Sequence, residues 1–320
     1  MTMKNQGLIS KLTYSVYLND PDAETASILF GAIDQDKYTG DLALMPIVKD
    51  WSYDVTGTSQ PSTIDVTVSS ISIGSKNSNK KIKFGSGAAA GLLDTGTTLL
   101  YVPNTVLKAI TKIAGLSTSY GYPVVDCSLG DDYYLTFNFQ GFDVDVTFNN
   151  LFLDTGDDSS STCYLGIQSS GDDSFILGDK FLTSVYAVID LEDNVVAMAK
   201  ANTDSTSENI EVINNSIPSA SSVASYYSTY GGAAGTSLSV RATGSLKGGR
   251  KEVQVAARDV TSTADSSVIS TSSDSFPASN AYKSNSSSGH SVSTAENSGV
   301  QVSAVGSFLT CIILVLLSAF

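Results

Sequence analysis

The residues best suited to chemistry lie in the run Leu92-Leu93-Asp94-Thr95-Gly96-Thr97-Thr98-Leu99-Leu100, which sets one carboxylate in a turn of small residues between two apolar arms. Thr95 and Thr97 offer hydroxyls that can hold the loop and bond the carboxylate. Gly96 is read as the residue that lets the backbone turn sharply and approach a partner closely. A carboxylate held in this way suits one reaction in particular. Two carboxyl groups that share a proton can activate water, one taking a proton from the attacking water while the other donates to a carbonyl oxygen. Like charges about 3 Å apart cannot both ionise, so such a pair titrates as a unit. The chemistry therefore needs a second carboxylate in the same setting.

A second Asp-Thr-Gly stands at Asp154-Thr155-Gly156, after the apolar run Leu151-Phe152-Leu153. It is followed by Asp157-Asp158-Ser159-Ser160-Ser161, a polar, like-charged stretch with no second apolar arm, and reads as a surface loop. The elements that must position Asp94 read as mostly β. Runs such as 63–68, 134–139 and 143–148 alternate apolar and polar residues, and turns fall at 138–141 and 171–173. One helix is expected over 103–115. Its apolar positions are Val106, Leu107, Ile110, Ile113 and Ala114, and Gly115 suits a C-terminal stop.

The surroundings of Asp94 resemble the pepsin-type aspartic proteases, specifically their C-terminal lobe. Phe175-Ile176-Leu177-Gly178-Asp179-Lys180-Phe181-Leu182 resembles the strand that crosses behind the family's catalytic turn, with Ile176, Leu177 and Gly178 supporting the psi loop. The run 184–199 resembles the hairpin that closes the lobe. Gln6 to Ser10 with Tyr14 to Leu18 resembles the segment entering the inter-lobe sheet, and 27–34 the strand after it. The matches keep the family's order and span residues 1–203. The resemblance implies a double-psi β-sheet lobe with short helices, in which Asp94 is the second catalytic aspartate. Thr95 would grip the other lobe, Gly96 would complete the turn and Thr97 would support the carboxylate. It also implies a Cys127–Cys163 disulfide. The family's first lobe, with the other aspartate, should precede this segment. The chain is therefore expected to be a C-terminal half, with negligible protease activity by itself.

Composition bounds the rest. Residues 1–203 hold 12 basic and 24 acidic side chains, a net charge of −12, within an overall −14. This argues against a nucleic-acid partner, fits work at acidic pH and would attract cationic substrates. The bland alternative is an ordinary acidic surface. Closing the Cys127–Cys163 loop would stabilise the fold by about 3–4 kcal/mol and imply an oxidising compartment. Two buried thiols are the alternative. The only histidine, His290, lies in a low-complexity stretch, and no Cys-x-x-Cys pair occurs. No cofactor and no metal are expected.

Residues 204–299 are dominated by Ser, Thr, Ala and Asn and read as a disordered stalk, with N-glycosylation acceptors at Asn214 and Asn285. Lys247 to Lys251 is a weak processing signal. Residues 300–320 read as a lipid-anchor (GPI) addition signal: a spacer to Ser307, then the apolar tail 308–320, with attachment at Asn297 and Ser298 as runner-up. The tail is short for a transmembrane helix, which needs about 20 residues. With this tail the resemblance sharpens toward the fungal, surface-anchored yapsin and candidapepsin-like enzymes. Proteins or peptides are then the expected substrates, the first lobe the partner, and the outer face of the cell the location. No signal peptide is visible at the start. Two other readings stand beside this one: a dimer pairing two Asp94 turns, and a catalytically dead wall glycoprotein.

Overall fold

The computed structural model describes residues 2–19, 25–48, 63–155, 160–203, 205–226 and 237–246, and the backbone of 291–294 and 300–305. Gly156, Asn285, Asn297, Ser298, the 247–251 cluster and the tail from 306 lie outside the described residues.

Two large sheets face each other across the main core. In the first, the order is Ala220–Ser222, Tyr38–Pro46, Val195–Ala201, Val185–Asp190, Thr13–Tyr17, Thr25–Phe30, Val300–Val305, Ser291–Thr294. In the second it is Phe142–Thr147, Tyr133–Phe139, Asp65–Ser75, Lys80–Leu93, Phe175–Leu177, Leu100–Val102, Ile167–Ser169. Alternation explains how a strand serves two faces. Val185, Ala187 and Ile189 point into the core between the sheets, whereas Tyr186 and Val188 join Tyr17, Ile33, Leu42 and Ala197 in a second cluster on the other face. Both faces of Val185–Asp190 are covered, so it reads as a continuous apolar run rather than an alternating one.

What covers that second face corrects the expected boundary at residue 203. Ile213 is fully buried and Ile217 nearly so in the second cluster. Ile210–Val212 pairs with Ala32–Asp34, and Ala220–Ser222 runs parallel to Tyr38–Pro46. Leu238–Val240 adds to Lys80–Leu93, and Leu246 is buried in the main core. The folded unit thus continues through the described residues to 246. Of the few large apolar residues in this Ser-rich stretch, Ile213 and Ile217 close a face that the first 203 residues leave open, while Leu238 and Leu246 extend the main core. Within the expected spacer, the backbone of Val300–Val305 pairs antiparallel with Thr25–Phe30.

The helix forms over Asn104–Ala114, with Val106, Ala109, Ile110, Ile113 and Ala114 buried. Pro103 stands at its N-cap, and Gly115 closes it in the left-handed region at φ 63°. Lys11 ties the entry strand to the closing hairpin. Its ammonium lies 2.5 Å from Asp190, whose side chain is 1% exposed, and also contacts Asp193. A buried pair of this kind mainly fixes which segments meet.

Cys127 and Cys163 are joined in a disulfide, with their Cα atoms 5.0 Å apart and a sequence separation of 36. It pins Thr162–Tyr164 to Tyr122–Asp126, which are also paired antiparallel. Removing it, as Cys127→Ser with Cys163→Ser, is expected to lower unfolding stability by about 3–4 kcal/mol in urea titrations, with a steeper denaturant slope because the unfolded chain loses its cross-link.

Candidate active site

Asp94 sits directly after the long strand Lys80–Leu93, at the point where the chain leaves the sheet. Phe175–Leu177 lies beside this strand, parallel to Lys80–Leu93 and antiparallel to Leu100–Val102. The two arms of the Asp94 turn therefore flank one short strand that threads between them. Main-chain bonds fasten the crossing: the Asp94 N–H donates to the Leu177 carbonyl at 3.2 Å, and the Asp179 N–H to the Thr97 carbonyl at 2.8 Å. Phe175 is anchored from below by an edge contact with Phe137, 6.0 Å between ring centres.

Gly178 is a steric necessity in this arrangement. A Cβ added there would lie 2.2 Å from the Thr97 carbonyl oxygen and 2.4 Å from that of Leu99. Its φ of −79° is ordinary, so contact rather than conformational freedom requires the glycine. Gly96 takes its place in the turn without a positive φ. It contributes its N–H, which donates to Asp94 Oδ1 at 2.9 Å. Thr97 Oγ1 donates to Asp94 Oδ2 at 2.6 Å. Each carboxylate oxygen thus receives one bond from the loop, which fixes the plane of the group and leaves it half-exposed. Thr95 is half-buried, and its side chain makes no hydrogen bond among the described residues.

The structure brings together Asp94, Thr95, Gly96, Thr97, Ile176, Leu177 and Gly178. It keeps Asp154 and Thr155 exposed in a separate loop beyond the bridge of Phe152 to Leu165. Cys127 and Cys163 act elsewhere, as a brace. Asn214 is exposed, and its Oδ1 accepts from Ser10 Oγ at 3.1 Å. Among the described residues, no three His, Cys, Asp or Glu side chains cluster as a metal site requires.

Asp179 is the residue that sequence reasoning passed over. Burial, and then the negative charge of Asp94, push its carboxyl up to about 7, with Lys180 acting in the opposite sense. The signal was present: an acid immediately after the glycine of the strand that crosses behind the turn. In the unfolded chain this carboxyl titrates near 3.9. The folded value is higher, so the stability it contributes is fully present below about pH 4 and is lost as pH rises toward 7. Asp179→Asn should flatten that part of the stability–pH curve, measured by thermal melts across the range.

A carboxylate pinned by its own loop, with a glycine-tight strand threaded behind it, defines one lobe of a paired-carboxylate hydrolase fold. The sequence profile described as "Eukaryotic aspartyl protease" matches residues 1–201, and the chain belongs to that family. It is 43% identical over 233 residues to Aspartic proteinase 3 of Saccharomyces cerevisiae, covering 72% of this chain and 40% of that protein. It is 34% identical to the probable aspartic-type endopeptidase opsB of Aspergillus fumigatus, covering 69% and 46%. It is 38% identical to Secreted aspartic protease 9 of Candida albicans, covering 67% and 39%. The chain spans less than half the length of these relatives. The match to the first covers more than residues 1–203 contain, in keeping with a folded unit that extends past that point.

Proposed function

We propose that this chain is the second-aspartate lobe of an aspartic endopeptidase that works at the cell surface or in the secreted space. The observation that carries the reading is the Asp94 carboxylate, held by Gly96 N–H and Thr97 Oγ1 over the Phe175–Leu177 crossing. In this reading Asp94 is one member of a proton-sharing pair, and the loop keeps both its oxygens oriented toward a partner carboxylate. Thr95, with its hydroxyl unengaged among the described residues, is the natural contact to the lobe that brings the second aspartate. Water bound between the two carboxylates attacks the peptide carbonyl, one carboxylate taking its proton while the other donates to the carbonyl oxygen. The substrates are peptide bonds in proteins, and the acidic surface favours cationic segments and acidic pH.

The disulfide suits an oxidising compartment, and two of the relatives carry "secreted" or "endopeptidase" in their names. Glycans at Asn214 and Asn285 and a lipid anchor at Asn297 belong to the same proposal. Asn214 is exposed, as a glycan acceptor must be.

The test is to assay the purified chain alone and mixed with a separately produced first lobe of a relative. A fluorogenic peptide at acidic pH serves as substrate, with sedimentation in parallel. Cleavage that needs the added lobe and is blocked by pepstatin supports the proposal. Cleavage by a homodimer of this chain would move the reading to paired Asp94 turns. No cleavage from a mixture that sediments as a complex would leave a binding glycoprotein.

A further inference from the structure

The second sheet carries a cleft far along the strands from Asp94. Its volume is 540 Å³, within the ~300–1,000 Å³ range of small-molecule sites. None of its walls comes from the Asp94 turn or from Phe175–Gly178. Five segments converge on it: the strands Tyr133–Phe139 and Phe142–Thr147, the turn between Asp65–Ser75 and Lys80–Leu93, the turn after the short helix Asp179–Leu182, and the end of Val195–Ala201.

Its floor is an aromatic plate. Tyr134 is paired across the sheet with Gly74, and its ring lies directly over that glycine. A Cβ on Gly74 would come within 2.2 Å of Tyr134 Cζ and 2.4 Å of its hydroxyl. The missing side chain is therefore what lets the ring settle against the backbone in one position, half-exposed toward the cleft. Around the plate stand polar groups whose geometry is already fixed. Asp145 Oδ1 accepts from Thr136 Oγ1 at 2.5 Å, which leaves Oδ2 open to a ligand. Asn150 Nδ2 donates to Ser184 Oγ at 3.0 Å, and its Oδ1 accepts from Thr147. Lys200 stands exposed at the rim without an ion pair among the described residues. Thr183, 7% exposed, adds a hydroxyl that has no partner among the described residues.

The charges decide the ligand class. Among the lining side chains Lys76 and Lys200 balance Asp143 and Asp145, and Lys81, outside the lining, pairs with Asp143 at 3.4 Å, so the cleft carries little net charge and would hold neither a phosphate nor a polycation well. A fixed aromatic face with carboxylate acceptors and ammonium donors at its edge matches a neutral ring that has C–H bonds on one face and hydroxyls around its perimeter. We propose that this cleft binds a neutral hexopyranose, separately from any peptide bound at Asp94. The sugar would stack on Tyr134, with its hydroxyls bonded to Asp145 and Lys200. It could be part of a glycan on this chain or of a separate saccharide.

The test is NMR titration of the full chain, freed of N-glycans by endoglycosidase, with methyl α-D-mannopyranoside, methyl β-D-glucopyranoside and N-acetylglucosamine. At least one should saturate with a Kd on the order of 1 mM, as expected of a ligand this small. Shifts should centre on Tyr134, Val144 and Thr183. Tyr134→Leu should weaken binding at least about tenfold, and Lys200→Ala, at an exposed position outside the core, at least about threefold. If the untreated glycosylated chain binds more weakly than the stripped one, the chain's own glycan is the occupant; equal affinity assigns the cleft to a separate saccharide. No saturation by any of the three sugars, shifts elsewhere, or binding unchanged in both variants would overturn the proposal.

Discussion

Asp94→Asn is expected to lower peptide hydrolysis by about 10²–10⁴-fold in the assembly of this chain with a first lobe, while leaving the fold intact. Asn keeps the shape of the side chain: its Oδ1 can still accept from Gly96 N–H, and its Nδ2 can donate to Thr97 Oγ1, reversing the second of the two bonds that hold the carboxylate now. It loses the ability to share a proton, which a paired-carboxylate mechanism cannot do without. The expected readout is a collapse of kcat with KM little changed, since substrate contacts elsewhere are untouched. Circular dichroism and melting temperature should match the parent chain. Activity within a few-fold of the parent would remove Asp94 from the mechanism. Thr97→Ala tests the supporting shell. It should leave the protein folded and cost less than Asp94→Asn, because the Gly96 bond remains.

Gly178→Ala is expected to damage the lobe more than any other single-methyl change described here. The added carbon would meet two carbonyl oxygens, at 2.2 and 2.4 Å, and both belong to backbone in the Asp94 turn. Neither can rotate away as a side chain could. The turn must open or the Phe175–Leu177 strand must withdraw, and both movements break the main-chain bonds Asp94 N–H to Leu177 and Asp179 N–H to Thr97. We expect a loss of about 4 kcal/mol or more and a fall in Tm of about 10 °C or more. Gly171→Ala is the comparison. That glycine has φ +84° and nothing within 4 Å of an added Cβ, so its cost is confined to the left-handed backbone, about 1–2 kcal/mol. Near-equal melting temperatures for the two variants would contradict the contact argument.

The sequence by itself determined the chemistry-bearing turn and its class of fold. A carboxylate between small residues and two apolar arms is a local pattern, and local patterns are written in adjacent residues. Alternation gave the strands 134–139 and 143–148 nearly to the residue, although Phe148 begins a short helix instead of ending a strand. The helix after the turn was equally legible, because a 3.6-residue apolar period and a terminal glycine mark it without reference to anything distant.

The tertiary structure alone decided three matters. It showed that Gly178 is demanded by contact with carbonyls some 80 residues earlier in the chain, a proximity no spacing rule encodes. It placed Asp179 in a half-buried setting near the charge of Asp94, which raises its carboxyl to about 7; the letter Asp carries no record of its surroundings. It also drew Ile213, Ile217, Leu238 and Leu246 onto the lobe. Read along the chain, these are isolated apolar residues in a Ser-rich stretch, and composition averages them away. The burial of Ile213 and Ile217 becomes intelligible only once the outer face of Val185–Asp190 is seen to need a cover, and that of Leu238 and Leu246 once they are seen beside Lys80–Leu93 and the helix Asn104–Ala114, because the free energy of burying an apolar side chain depends on what lies opposite it, not on its neighbours in sequence.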